Sequence, residues 1–88
     1  MMKSFLLKLA SPEGDLFSGE VTMLRVRGTE GELAVMAGHI PFVTSVKPCE
    51  CKIELEDGTE RVGRTDGGIL TVSDEKTVFL SGSFEWIE

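Results

Sequence analysis

The chain has 88 residues, and its nine lysines and arginines against 15 aspartates and glutamates give a formal net charge of −6 at pH 7. A chain this short is expected to form one domain, residues 1–88, with a thin core and little room for a deep active-site cleft, which favours a binding or structural protein. Its negative field repels phosphate backbones and anionic lipid, and the arginines are separated by apolar or acidic residues, so neither nucleic acid nor a membrane surface is an expected direct partner.

The N-terminal part of the chain predicts a strand followed by a turn. Phe5, Leu7 and Leu9 alternate with other residues over positions 3–10, which is the period of a strand with one buried face. Residues 11–14 have the composition of a turn. The apolar run stops at Lys8, too early for a signal peptide, and nothing approaches the ~18 apolar residues of a membrane-spanning helix.

Residues 20–27 predict a second strand whose alternation changes phase. Val21 and Met23 point one way, whereas Leu24 and Val26 point the other. We expect either a β-bulge near Met23 and Leu24 or a strand that is covered on both faces.

Residues 28–48 contain glycines, acids, a histidine and prolines in an order that no single strand or helix explains. Gly28 and Gly31 are expected to bracket an acidic loop tip, because glycine adopts positive φ without steric strain. A short strand over residues 32–36, a turn ending at Pro41 and a strand over residues 42–46 follow.

The cleanest strand is CECKIELE, residues 49–56, in which Cys49, Cys51, Ile53 and Leu55 share one face. Cysteines two apart on a strand point the same way, which favours burial over a disulfide, and one histidine with two cysteines is too few ligands for zinc. The following Asp57 and Gly58 predict a tight hairpin to residues 59–65.

The last third predicts two more strands. Residues 66–68 read Asp-Gly-Gly before a strand, so they lack the lysine and helix of a phosphate loop and instead indicate a close backbone approach or a bulge. Residues 69–72 and 77–84 alternate, with Val78 and Leu80 opposite Phe79. Short strands separated by turns, with no helical segment, predict an all-β fold: a small β-sandwich or flattened barrel of mostly antiparallel strands.

Several blocks of this sequence resemble the epsilon subunit of the F-type ATP synthase: S-P-E-G-D-L-F-S-G-E-V, G-T-E-G-E-L, G-H-I-P-F-V-T, V-K-P and D-G-G-I-L-T-V. They stand in family order from residue 4 to about residue 80. The resemblance implies the β-sandwich N-terminal domain of a central-stalk subunit that is not an enzyme, has no cofactor or metal, and links the gamma subunit to the rotor c-ring. Such a subunit is peripheral, at the cytoplasmic face of the inner, energy-transducing membrane, and meets the membrane only through the ring.

The resemblance also implies two contact sites. The loop facing the c-ring comprises Gly28, Thr29, Glu30, Gly31 and Glu32. The turn facing the gamma subunit comprises Gly38, His39, Ile40, Pro41 and Phe42. The sequence departs from the family pattern beside the turn, where Ala37 stands in place of the common proline, and after V-K-P, where Cys49 replaces a glycine.

A different class of function stays open at this stage: a small acidic β-sandwich that binds a ligand or hydrolyses one. Glu30 and Glu32 could form a carboxylate pair, and His39 is the only histidine for a catalytic triad. That alternative predicts a pocket of ~300 Å³ or more with convergent polar groups, whereas the stalk interpretation predicts a flat apolar patch with a polar rim.

Epsilon subunits usually continue into two C-terminal helices that carry the inhibition of ATP hydrolysis, whereas this sequence stops at SFEWIE. Either the subunit is naturally short or the sequence was cut at the domain boundary. If it is naturally short, we expect it to couple rotation without inhibiting hydrolysis.

Overall fold

The computed structural model describes residues 3–87, and every regular element within that range is a strand. The strands are β1 (Phe5–Ser11), β2 (Gly14–Gly28), β3 (Gly31–Val35), β4 (Phe42–Val46), β5 (Cys49–Leu55), β6 (Glu60–Thr65), β7 (Gly68–Val72), β8 (Thr77–Ser81) and β9 (Phe84–Trp86).

The strands form one strongly curved sheet in the order β1-β8-β7-β4-β2-β5-β6-β9, with β3 paired to β2 beside this path. β1 also pairs with β2, so the sheet folds back on itself and encloses the core as a sandwich. All pairings are antiparallel except that of β1 with β8. The predicted fold class is confirmed.

β2 is the longest strand, with 15 residues, and it begins at Gly14, six residues before the second strand predicted over residues 20–27. A β-bulge, the first of the two predicted explanations, causes the change of phase in β2. The register with β5 shifts between Val21 and Met23, so the bulge lies at Thr22, one residue earlier than expected. The extra residue allows both Val21 and Leu24 to point into the core. The Thr22 hydroxyl donates to a Glu54 carboxylate oxygen at 2.8 Å.

The core consists of apolar side chains from both layers of the sandwich. Its buried members are Leu7, Leu9, Val21, Leu24, Val26, Val35, Val46, Cys51, Ile53, Leu70, Val72 and Phe79. The predicted inward faces of β1 and β5 are confirmed, although Phe5, Cys49 and Leu55 at the strand ends are only partly buried. Neither cysteine forms a disulfide within residues 3–87.

The C-terminal strand expected over residues 77–84 is interrupted, since a turn at residues 82–83 separates β8 from β9. The carboxylate of Asp66 stabilises this turn by accepting a hydrogen bond from the Ser83 N–H at 2.8 Å. β9 then pairs with β6, where the Trp86 ring packs edge-on against Phe84 and under the guanidinium of Arg61.

Candidate interaction surfaces

The predicted acidic loop is the tip of the β2–β3 hairpin. Gly28 and Gly31 form the last pair of the ladder, and Thr29 with Glu30 makes the two-residue turn between them. Gly31 has a φ of 125°, a value that favours glycine. Glu30 and Glu32 are exposed, and within residues 3–87 neither carboxylate lies in an ion pair. The two acids are therefore available to a partner.

The predicted turn at residues 38–42 connects β3 to β4. Gly38 has a φ of 87°, and the His39 N–H donates to the carbonyl oxygen of Met36 at 3.2 Å. The His39 ring stays within its own turn, because its Nδ1 atom lies 3.1 Å from the Ile40 carbonyl oxygen and its centroid 4.9 Å from that of Phe42. Ile40 projects outward with 78% of its surface exposed.

The hairpin tip and the start of β4 line one open depression of about 490 Å³. Its walls are residues 28–33 and 42–44, so Phe42 brings the second predicted site to the edge of the first. His39 instead lines a separate depression of about 470 Å³ beside the β7–β8 turn. The two predicted sites are thus neighbours that meet only at Phe42.

The sequence predicted an exposed apolar patch but not the residues that form it, and the structure shows an exposed apolar surface on the outer side of β1, β8, β7 and β4, which we call the apolar face. The register places Ile69 beside Leu80 on neighbouring strands, and Val43 beside Thr71. Val43 is 67% exposed, Leu80 53% and Ile69 45%, and Leu6 on β1 extends the surface. A signal for it was present, because β7 and β8 carry apolar residues on both faces, whereas one-sided strands alternate with polar residues.

The polar groups do not converge on an interior site. Every buried side-chain nitrogen or oxygen within residues 3–87 has a hydrogen-bond partner, and the same range contains no cluster of three or more side chains suited to a metal ion. No helix in this part of the chain is long and apolar enough to cross a membrane.

The titratable groups with perturbed pKa values lie away from both loops and from the apolar face. Burial, reinforced by the nearby Cys49, raises the pKa of the Cys51 thiol from 9.0 to about 12. Hydrogen bonds from the Thr59 hydroxyl and N–H lower the pKa of the Asp57 carboxyl in the β5–β6 turn. Both shifts have structural causes.

Residues 4–87 match the family model described as ATP synthase, Delta/Epsilon chain, beta-sandwich domain. The chain belongs to this family. The match confirms the resemblance carried by the sequence blocks and extends it through β9.

Two solved structures show the same fold. A chain of the Euglena gracilis mitochondrial ATP synthase, from a cryo-EM structure of OSCP, F1 and the c-ring, is similar with a TM-score of 0.89 and 24% identity over 98% of this chain. A chain from the central stalk and c-ring of the Tetrahymena thermophila mitochondrial ATP synthase has a TM-score of 0.76 and 12% identity over 94% of this chain. This chain spans 56% and 66% of their respective lengths.

Proposed function

We propose that this protein is a non-catalytic rotor subunit of a proton-translocating F-type ATP synthase, in which it links the gamma subunit to the c-ring. The observation that carries the proposal is the family match over residues 4–87. The similar Euglena and Tetrahymena chains come from structures of ATP synthase assemblies that include the c-ring, which supports the same role. The protein would act as one domain, at the cytoplasmic face of the energy-transducing membrane.

The mechanism of such a subunit is mechanical. The closed sheet ties each interior strand to two neighbours, so the body resists shear between its two ends. A rigid body of this kind transmits torque between the rotating ring and the catalytic head, where other subunits carry out the nucleotide chemistry. Coupling then depends on the strength of the contacts at each end.

The apolar face is the surface that best fits the gamma subunit. Exposed apolar side chains on neighbouring strands form the flat surface that a protein partner covers. The turn at residues 38–42 adds the exposed Ile40 and leads directly into β4, which carries Val43. Gamma contacts would therefore run from the turn onto the apolar face.

The hairpin tip would contact the c-ring. Glu30 and Glu32 are exposed carboxylates at the end of a rigid two-stranded projection, suited to lysines or arginines on the polar loops of the ring. Charge pairs at a solvated rim contribute only ~0.2–1 kcal/mol each, so they would fix orientation more than affinity.

The alternative of a ligand-binding protein or hydrolase meets the volume criterion, because open depressions of about 330 to 510 Å³ are present. No buried polar side chain of residues 3–87 is left without a partner inside these depressions, as a catalytic or enclosed ligand site would need. The buried polar side chains of residues 3–87 bond to other protein groups, and His39 bonds within its own turn. The stalk function is therefore the better supported of the two.

Co-purification with a tagged gamma subunit tests the gamma contact. Ile69→Glu combined with Leu80→Glu should abolish it, because two carboxylates would be buried against an apolar partner. Ile87→Glu is the matched control: Ile87 is exposed to a similar degree at 47% but follows β9, outside the apolar face. Equal recovery of gamma by the double variant and the control would contradict the assignment.

Reconstitution tests the ring contact. Glu30→Lys with Glu32→Lys should leave the thermal midpoint nearly unchanged, since exposed substitutions usually change stability by within ~0.5 kcal/mol, while ATP-driven proton pumping at low salt falls. Unaffected pumping would mean that the acidic tip serves only solubility.

A further inference from the structure

Three basic side chains gather on the outer surface of β2 and β5, on a different part of the sheet from the apolar face. Arg25 of β2 lies directly opposite Lys52 of β5, and Arg27 lies two residues further along β2. All three line an open depression of about 330 Å³, which we call the basic depression. No basic patch was expected from the sequence, and the pairing of β2 with β5 is what creates it.

Like charges directly opposite one another on neighbouring strands are destabilising unless something neutralises them. The two acids that flank Lys52 on β5, Glu50 and Glu54, each have another partner, although Glu50 also lines the depression. Glu50 pairs with Arg64 at 3.8 Å, and Glu54 accepts the Thr22 hydroxyl. Within residues 3–87, none of the three basic side chains lies in an ion pair.

The surroundings partly enclose two of these cations. Arg25 and Lys52 are half-buried, and the guanidinium of Arg25 has the Met23 sulfur, a weak acceptor, at 3.8 Å. The Cys49 sulfur, which also lines the depression, accepts a hydrogen bond from the backbone N–H of Arg27 at 3.3 Å. Glu32 lies opposite Arg27 across the β2–β3 ladder and also lines the depression, so its charge offsets part of the positive field.

We propose that the basic depression binds an oxyanion, either a phosphate group or a carboxylate, through Arg25, Arg27 and Lys52. A guanidinium presents a planar fork of donors that suits two oxygens of one anion, and a lysine ammonium adds a point charge. The anion comes either from a small phosphate compound or from the acidic side chains of a partner segment. The site shares Glu32 with the proposed ring contact but does not rest on that assignment, and it would exist even if the gamma and ring assignments failed.

Amide chemical-shift titration of the ¹⁵N-labelled protein tests the proposal. The two probes are sodium pyrophosphate and a hexaglutamate peptide, each at ionic strength held constant with sodium chloride. Saturable shifts confined to the amides around residues 25–27 and 49–52 are expected with at least one probe. Pyrophosphate alone would identify phosphate as the ligand, and the peptide alone would identify a partner's carboxylates. Amide shifts that change linearly throughout the protein, or no saturable shift with either probe, would overturn the proposal.

Three variants sharpen the test. Lys52→Gln should weaken binding about tenfold, because one charge-assisted contact is lost, while Lys76→Gln, an exposed lysine of the β7–β8 turn, should leave it unchanged. Glu32→Gln should tighten binding, since it removes the opposing charge. Variants whose spectra keep the wild-type dispersion are folded and can be compared. Equal affinity in the Lys52 and Lys76 variants would refute a specific site.

Discussion

Gly68→Ala is expected to destabilise the fold strongly, because Gly68 lies where two strands approach too closely for any side chain. Gly68 of β7 pairs with Ser81 of β8. A Cβ atom added at this position would overlap the Leu80 carbonyl oxygen and come within 3.0 Å of the Ser81 Cα atom. The obstacle is the backbone of a paired strand, which cannot move aside without breaking the ladder.

Overpacking where side chains can adjust reduces the free energy of unfolding by ~1–3 kcal/mol, and a backbone obstacle places this variant at the upper end, ~3 kcal/mol. For a domain of this size the melting temperature should fall by ~12–24 °C. Urea unfolding followed by the fluorescence of Trp86, the single tryptophan, measures the effect.

The matched control is Gly19→Ala on β2. Its added Cβ would meet the Phe17 ring at an ordinary 3.6 Å, and Gly19 is not among the glycines with positive φ. The control should therefore unfold like the wild type or be up to ~1 kcal/mol more stable, because alanine restricts the unfolded chain. If Gly68→Ala stays within ~0.5 kcal/mol of this control, the close approach of β7 and β8 is wrong.

Three further predictions concern buried and titratable groups. Phe79→Ala should lower the free energy of unfolding by ~3–5 kcal/mol in the same urea assay, because the ring is fully buried, and a loss below ~1 kcal/mol would contradict its place in the core. Iodoacetamide at pH 8 should modify Cys49 and spare Cys51, as read by mass spectrometry, since the pKa of the Cys51 thiol is about 12. The same thiol ionises near pH 9 in the unfolded chain, so the free energy of unfolding should fall as the pH rises from 9 towards 12. The carboxyl pKa of Asp57, followed by NMR, should lie below 3.8 and rise in Thr59→Ala, and an unchanged pKa in the variant would show that Thr59 is not the cause. The ionised carboxylate should stabilise the fold slightly above pH 3.8, and this stabilisation should disappear as the pH falls below that value.

The alternation within single strands was sufficient to predict much of the fold. In β5 every second residue faces inward, so the buried positions of Cys51 and Ile53 followed from period two alone. The continuity of β2 did not follow, because Gly19 and the bulge at Thr22 both interrupt the pattern that marks one strand. A bulge shifts the phase without ending the strand, and sequence alone does not separate these outcomes.

The surfaces depended on strand pairing, which local patterns do not encode. Ile69 and Leu80 are 11 residues apart and become neighbours only because β7 and β8 pair in that register. Arg25 and Lys52 become neighbours in the same way through β2 and β5. By contrast, the hairpin tip is local, so the position of Glu30 was predictable from the two glycines around it.

The most direct test of the rotor assignment is assembly with the gamma subunit and the c-ring of the same ATP synthase. The 88-residue chain, carrying an affinity tag, is mixed with detergent-solubilised gamma and c-ring, and the retained complex is analysed by native mass spectrometry. A complex that contains the chain, gamma and the ring is expected, with gamma lost in the Ile69→Glu, Leu80→Glu variant and kept in Ile87→Glu. Recovery of the chain alone, with neither gamma nor ring bound, would contradict the proposed function.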